Sequence, residues 1–217
     1  MKIAETKYLF LSFLSIVLFS KIENVALDLG LSWTLSKMLP YGITLSCGVI
    51  LFFQIKKISF SPSFLKSLLL LFAFALPFTI GFALHPIYEG DFSSEGEIVK
   101  KNTSPSEFKN DGLTVTTIPE CPFCFGSINK LKKIQKRNPK LKIDFIVCAK
   151  NIIYLKKYKD EINGAFSIRI AENADSLAIT SGLKFPTFFL IKNKKPVYKW
   201  SNDQFGVCAI DEFESNF

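Results

Sequence analysis

Five cysteines occur in the 217 residues, and two of them stand three apart in Cys121-Pro122-Phe123-Cys124. The residues around that pair decide what it can do. Ahead of it, LTVTTI at 113–118 is a β-branched run that reads as a strand, with Gly112 as punctuation before it. Behind it, Phe125, Ile128, Leu131 and Ile134 recur every three residues, with Lys130, Lys132, Lys133 and Lys136 on the other side. That spacing predicts an amphipathic helix, ended by Asn138 and Pro139. Cys121 then falls at the helix N-terminus, where unpaired backbone N–H groups and the helix dipole favour thiolate over thiol. The thiolate is the attacking species, so Cys121 is the expected nucleophile. Cys124, one turn on and less exposed, is placed to attack the mixed disulfide and release the partner. Pro122 suits a first helical turn, because the N–H it lacks would be unpaired there anyway.

Two other chemistries fit a CxxC pair. It can be half of a zinc site, with Cys148 and Cys208 as the remaining sulfurs, or a purely structural disulfide. Zinc ligands usually come as two close-spaced pairs, whereas Cys148 and Cys208 are sixty residues apart. The strand-to-helix position favours redox exchange, so no metal ligand is assigned and no cofactor is expected beyond the Cys121–Cys124 pair itself. Cys148 and Cys208 remain a candidate second redox pair, since each follows a strand that should end at the sheet edge carrying the CxxC. The simpler reading is that both pack as small apolar residues. Cys47 lies inside an apolar run and reads as a helix- or lipid-facing residue. His85 is the single histidine, which leaves no Ser/His or Cys/His catalytic arrangement.

The elements that must hold the pair follow in order. A second strand at 142–147, a helix at 151–162, an extended stretch at 166–170 and a helix at 173–181 precede TFFLI at 187–191 and PVYKW at 196–200. KNKK joins the last two as a hairpin with a four-residue turn, and 210–217 reads as a final helical turn or two. A strand, helix, strand order of this length implies a right-handed parallel unit. The sum is an α/β domain with a mixed sheet over 112–217.

The pattern LTVTTIPECPFC, the amphipathic helix, the parallel strand and ADSLAITSGLKFPTFFLIKNKKPVYKW together resemble the thioredoxin superfamily. What the resemblance implies is a mixed sheet flanked by helices and a cis peptide bond at Pro186. Gly182 and Phe185-Pro186-Thr187 match the family's second signature. There Pro186, with Phe185 and Thr187, shapes a groove for an incoming peptide backbone beside Pro122 and Phe123 of the redox motif. The chain departs from the family's pattern in three places. Glu120 stands where thioredoxins have Trp, Val115 stands where they bury an acid, and Pro-Phe separates the cysteines.

Residues 1–85 hold seven Lys or Arg and three Asp or Glu, against twenty and sixteen in 86–217, so each half carries a formal +4. Three apolar runs, at about 8–27, 39–55 and 64–84, approach the roughly 17 to 25 residues that a bilayer requires. Lys2 and Lys7 precede the first run, and Lys56, Lys57 and Lys66 lie between the second and third. By the positive-inside rule both sets face the cytoplasm, which puts the N-terminus inside and the C-terminal half outside. A cleaved signal peptide is the rival for the first run, and an uncleaved anchor fits better because two more spans follow. Residues 86–111 read as a polar linker. The lysines beyond 86 are mixed with acids, which argues against a nucleic-acid partner.

Spans ahead of such a domain resemble the TlpA-like thiol-disulfide oxidoreductases. The layout is also similar to redox-associated membrane proteins of the DoxX and MauE kind, with three spans here in place of four. The expected function is a membrane-anchored protein thiol-disulfide oxidoreductase of the bacterial inner membrane. Its domain would be periplasmic, its partners protein dithiols and disulfides and a membrane electron donor, its direction reduction on the strength of the TlpA-like resemblance. The alternative is a non-catalytic thioredoxin-like binding or assembly module.

Overall fold

The computed structural model describes residues 3–58, 63–94, 96–99 and 107–216. The chain divides into two units, Met1–Tyr88 and Glu89–Phe217.

The first unit is helical: α1 (Ile3–Val17), α2 (Phe19–Asp28), α3 (Trp33–Lys56) and α4 (Ser63–Leu84). Helices α3 and α4 are long and apolar enough to cross a membrane. The first expected span falls on two helices, α1 and α2, bent by 63° at the break between them; with that pair counted as one span, the unit offers up to three. Lys21 and Glu23 lie just past the bend, where charge interrupts the apolar run. Helix α3 begins earlier than its apolar run because Ser32 caps it, accepting a hydrogen bond from the Leu35 N–H at 3.2 Å. Gly48 lets α3 and α4 meet, since a Cβ there would lie 2.3 Å from the Phe74 carbonyl oxygen. Tyr41 donates a hydrogen bond to the His85 carbonyl, and the His85 ring stacks on Phe19 at 4.4 Å.

The second unit is a six-stranded mixed sheet: β1 (Glu97–Ile98), β2 (Gly112–Thr117), β3 (Ile143–Val147), β4 (Ser167–Ile170), β5 (Thr187–Lys192) and β6 (Lys195–Ser201), in the order β1-β6-β5-β2-β3-β4. Strands β2, β3 and β4 are parallel, while β5 runs antiparallel to β2 with Thr116 opposite Thr187. Helices α5 (Pro122–Arg137), α6 (Leu155–Ile162) and α8 (Val207–Ser215) cover one face. Phe125 and Phe145 pack on Tyr158 of α6, and Arg137 of α5 pairs with Glu214 of α8 at 3.1 Å. Helix α7 (Ala174–Thr180) covers the other face, with Leu177 against Ile146, Phe189 and Ile191. Alternation along β5 makes this possible: Phe189 faces α7, while Phe188 stacks on Phe205 at 4.0 Å on the far side. This architecture fits the thioredoxin-like fold that the resemblance implies.

Two expectations change. The β5–β6 turn has two residues, Asn193 and Lys194, with φ of 52° and 57°, in place of four. A two-residue turn with both residues left-handed matches the twist of paired strands. Much of the stretch read as a linker belongs to the second unit, which begins at Glu89. Strand β1 pairs with β6, Phe108 is buried in the α7-side core, and Glu107 is fully buried and paired with Arg169 at 2.8 Å. A polar composition concealed these roles because one salt bridge and one ring suffice to dock the segment.

Candidate active site

Strand β2 ends at Thr117, and four residues later the chain turns into α5. Tyr158 contributes to that turn by donating a hydrogen bond to the Ile118 carbonyl at 2.8 Å. Cys121 is the N-cap of α5, with extended backbone, and its Sγ accepts the Cys124 N–H at 3.2 Å. Pro122 opens the helix, as its missing N–H favours. Cys121 and Cys124 are joined by a disulfide with Cα atoms 5.2 Å apart. Cys121 is 7% exposed and Cys124 is fully buried, so an attacking group meets Cys121 first. The N–H groups of the first turn that stabilise a thiolate at Cys121 remain in place when the disulfide opens. Lys136 and Arg137 sit in the last turn of α5, where positive charge complements the other end of the helix dipole.

The loop before β5 leaves the same sheet edge on the strand next to β2. Its Phe185–Pro186 peptide is cis. Pro186 and Thr187 are buried and Phe185 is half-buried. Gly182 has φ 67° and Leu183 φ 59°, so the helix-to-strand turn passes through the left-handed region at a glycine. Thr116 ties this loop to β2: its hydroxyl lies 2.8 Å from that of Ser181 and 3.4 Å from the Thr187 carbonyl. Thr187 in turn donates to the carbonyl of Lys184. Sequence reading missed Thr116 and Ser181. The alternation of a buried strand offered no signal, because Thr is an ordinary strand residue.

Pro122 and Phe123 are exposed, Phe123 at 66%. Ile152 and Ile153 follow β3, Leu183 precedes β5, and all three are at least 68% exposed. These large apolar side chains lie on segments leaving the edge that carries the disulfide. Glu120 is exposed, with φ 56°, and Val115 is fully buried within β2.

The structure does not bring Cys148 and Cys208 together. Cys148 is a free thiol. Cys148 packs against the α7-side core, whereas Cys208 belongs to α8 on the opposite face, so the sheet separates them. Burial pushes the Cys148 thiol up to about 12, with the negative charge of Glu107 adding to it. Cys47 is a free, half-buried thiol in α3. Among the described residues, no group of three or more His, Cys, Asp or Glu is placed to hold a metal ion.

No family model and no curated protein matches the chain. Two solved structures show a distant likeness. One is a secreted disulfide oxidoreductase of Mycobacterium tuberculosis described as homologous to E. coli DsbE. It is 14% identical, with a TM-score of 0.36 over 46% of this chain and 79% of that one. The other is a thioredoxin-like protein from Bacteroides caccae, 13% identical, with a TM-score of 0.36 over 85% of this chain and 82% of that one. Neither likeness is near enough to carry a functional assignment.

Proposed function

We propose that the protein is a membrane-anchored thiol-disulfide oxidoreductase that exchanges disulfides with partner proteins outside the cytoplasm. The observation that carries this reading is the Cys121–Cys124 disulfide at the start of α5, beside the cis Phe185–Pro186 loop on the neighbouring strand. In the reducing direction, the Cys121 thiolate attacks one sulfur of a partner disulfide. A mixed disulfide forms and the partner's other sulfur leaves as a thiolate. Cys124, deprotonated, then attacks Cys121 Sγ, the partner's second thiolate departs, and the Cys121–Cys124 disulfide remains. Oxidation of a partner dithiol runs the same steps backward. The direction we favour is reduction, on the TlpA-like resemblance. Regenerating the dithiol then requires an electron donor in or across the membrane.

Lys56, Lys57 and Lys66 flank the connection between α3 and α4, which by the positive-inside rule supports reading that side as cytoplasmic and the far end of α4 as extracytoplasmic. The exposed Phe123, Ile152, Ile153 and Leu183 suit a polypeptide partner with apolar segments. Phe185, Pro186 and Thr187 line the approach to Cys121, and Pro122 and Phe123 complete it. Replacing Cys124 with Ser tests the reading. The variant accumulates partner proteins as mixed disulfides on Cys121, visible as adducts that a reductant releases. If no adduct forms while the Cys121–Cys124 pair of the unaltered protein fails to cycle against glutathione, the oxidoreductase reading is wrong.

A further inference from the structure

Tyr158 sits on α6, one element away from the redox motif, yet its hydroxyl reaches into the turn that presents Cys121. The side chain is 1% exposed. Its O–H donates to the Ile118 carbonyl at 2.8 Å. That hydroxyl therefore anchors the first residue of the turn that leads to the nucleophile. Residues 118–121 have no ladder partner beyond Thr117, and Glu120 among them adopts φ 56°, a conformation that non-glycine residues rarely hold. The ring is fixed in turn. It lies parallel to Phe125 of α5 at 4.1 Å and against Phe145 of β3 at 5.3 Å, and the Lys157 ammonium stands 5.0 Å over Phe125. Burial raises the phenol to about 12, so the O–H stays a donor at any physiological pH.

We propose that Tyr158 is a positioning residue for thiol-disulfide exchange, its hydroxyl holding the 118–121 turn so that Cys121 Sγ stays over the first N–H groups of α5. This rests on the oxidoreductase reading and deepens it. Cys121 Sγ accepts the Cys124 N–H only while Cys121 keeps its N-cap conformation. Freeing the Ile118 carbonyl from Tyr158 loosens that conformation and weakens stabilisation of the thiolate.

The test compares the full chain in detergent with its Tyr158→Phe and Phe125→Leu variants, all with Cys47, Cys148 and Cys208 replaced by Ser. Each is reduced, and alkylation of Cys121 by iodoacetamide is followed by mass spectrometry from pH 5 to 9. Tyr158→Phe moves the midpoint of the Cys121 profile upward and slows alkylation at pH 6 by about three- to tenfold. Phe125→Leu loosens the same packing but keeps the hydroxyl, and leaves the midpoint in place. If Tyr158→Phe superimposes on the parent, or if both variants shift equally, the positioning role is overturned. Should Tyr158→Phe fail to fold, 4-fluorophenylalanine at 158 fills the same space with no proton to donate to the Ile118 carbonyl. The same upward shift is expected there, and its absence overturns the role. A parent pair that does not cycle against glutathione overturns the oxidoreductase reading itself, whereas a cycling parent with an unmoved variant overturns only the part played by Tyr158.

Discussion

Neighbouring parallel strands β2 and β3 each deliver a cysteine to the same sheet edge, and the two are given opposite surroundings. Thr117 and Val147 are register partners at the ends of those strands. Beyond Thr117 the chain turns within four residues into α5, and Cys121 caps it. Beyond Val147 comes Cys148 directly, held by the Cys148 N–H to the Thr117 carbonyl at 2.7 Å and packed on the α7-side core near buried Glu107. One thiol is given helix N–H groups and a partner one turn away. The other is given an apolar surface and a carboxylate. A cysteine at the end of a parallel strand is thus reactive or inert according to the element that follows it, because only a helix N-terminus supplies fixed positive dipoles to a thiolate.

The sharpest way to break this comparison is to exchange the fates of the two residues. Cys121→Ser is expected to abolish disulfide exchange with glutathione, while Cys148→Ser keeps the rate within about twofold, since buried thiols do not ionise near neutral pH. Comparable losses in the two variants would show that Cys148 takes part in the electron path.

A smaller effect comes from the charges behind Cys148. Arg169 pairs with the fully buried Glu107 at 2.8 Å and with Asp144 at 3.0 Å, and the second Glu107 carboxylate oxygen accepts the Asn173 N–H at 2.6 Å. Arg169→Ala leaves Glu107 buried without its cation and is expected to destabilise the second unit by about 3–5 kcal/mol. Glutathione exchange by the folded fraction should be unchanged. Chemical unfolding of the oxidised chain in detergent, read alongside that exchange rate, checks both halves. A loss of under about 1 kcal/mol would mean that the 107–111 segment does not depend on this pair.

The smallest effect is a pH dependence. The Cys148 thiol ionises near pH 9 in the unfolded chain and near 12 when folded. Between those values the folded state binds the extra proton. Its contribution is therefore complete below pH 9 and is lost as pH rises toward 12, by less than about 1.4 kcal/mol per pH unit. Unfolding midpoints of the oxidised chain at pH 8 and 10.5 should fall less steeply for Cys148→Ala than for its parent. Parallel falls would place Cys148 in water.

The order of elements around the Cys121–Cys124 pair was legible because its signals are local. A β-branched run, a CxxC, a three-residue apolar period and a Phe-Pro-Thr before a second run each declare themselves within a few residues. The 8–27 run gave no sign of the break between Val17 and Phe19, because mean apolarity does not report a bend. KNKK read as a longer turn because Lys carries no marking for the left-handed conformation that Lys194 adopts. Glu107, Thr116, Tyr158 and Ser181 were silent for a different reason: each acts through a partner at least 40 residues away.

By itself, the sequence determined that this chain has a strongly apolar first part and an α/β second part, and that Cys121 and Cys124 meet across one helical turn. Those follow from periodicity and spacing, which are properties of neighbours along the chain. Only the tertiary structure decided that Cys148 and Cys208 lie on opposite faces of the sheet, that the polar 107–111 segment belongs to the core domain, and that Tyr158 grips the turn before Cys121. Sidedness and long-range contact depend on which face of a strand meets which helix, and that is settled only when the sheet is assembled.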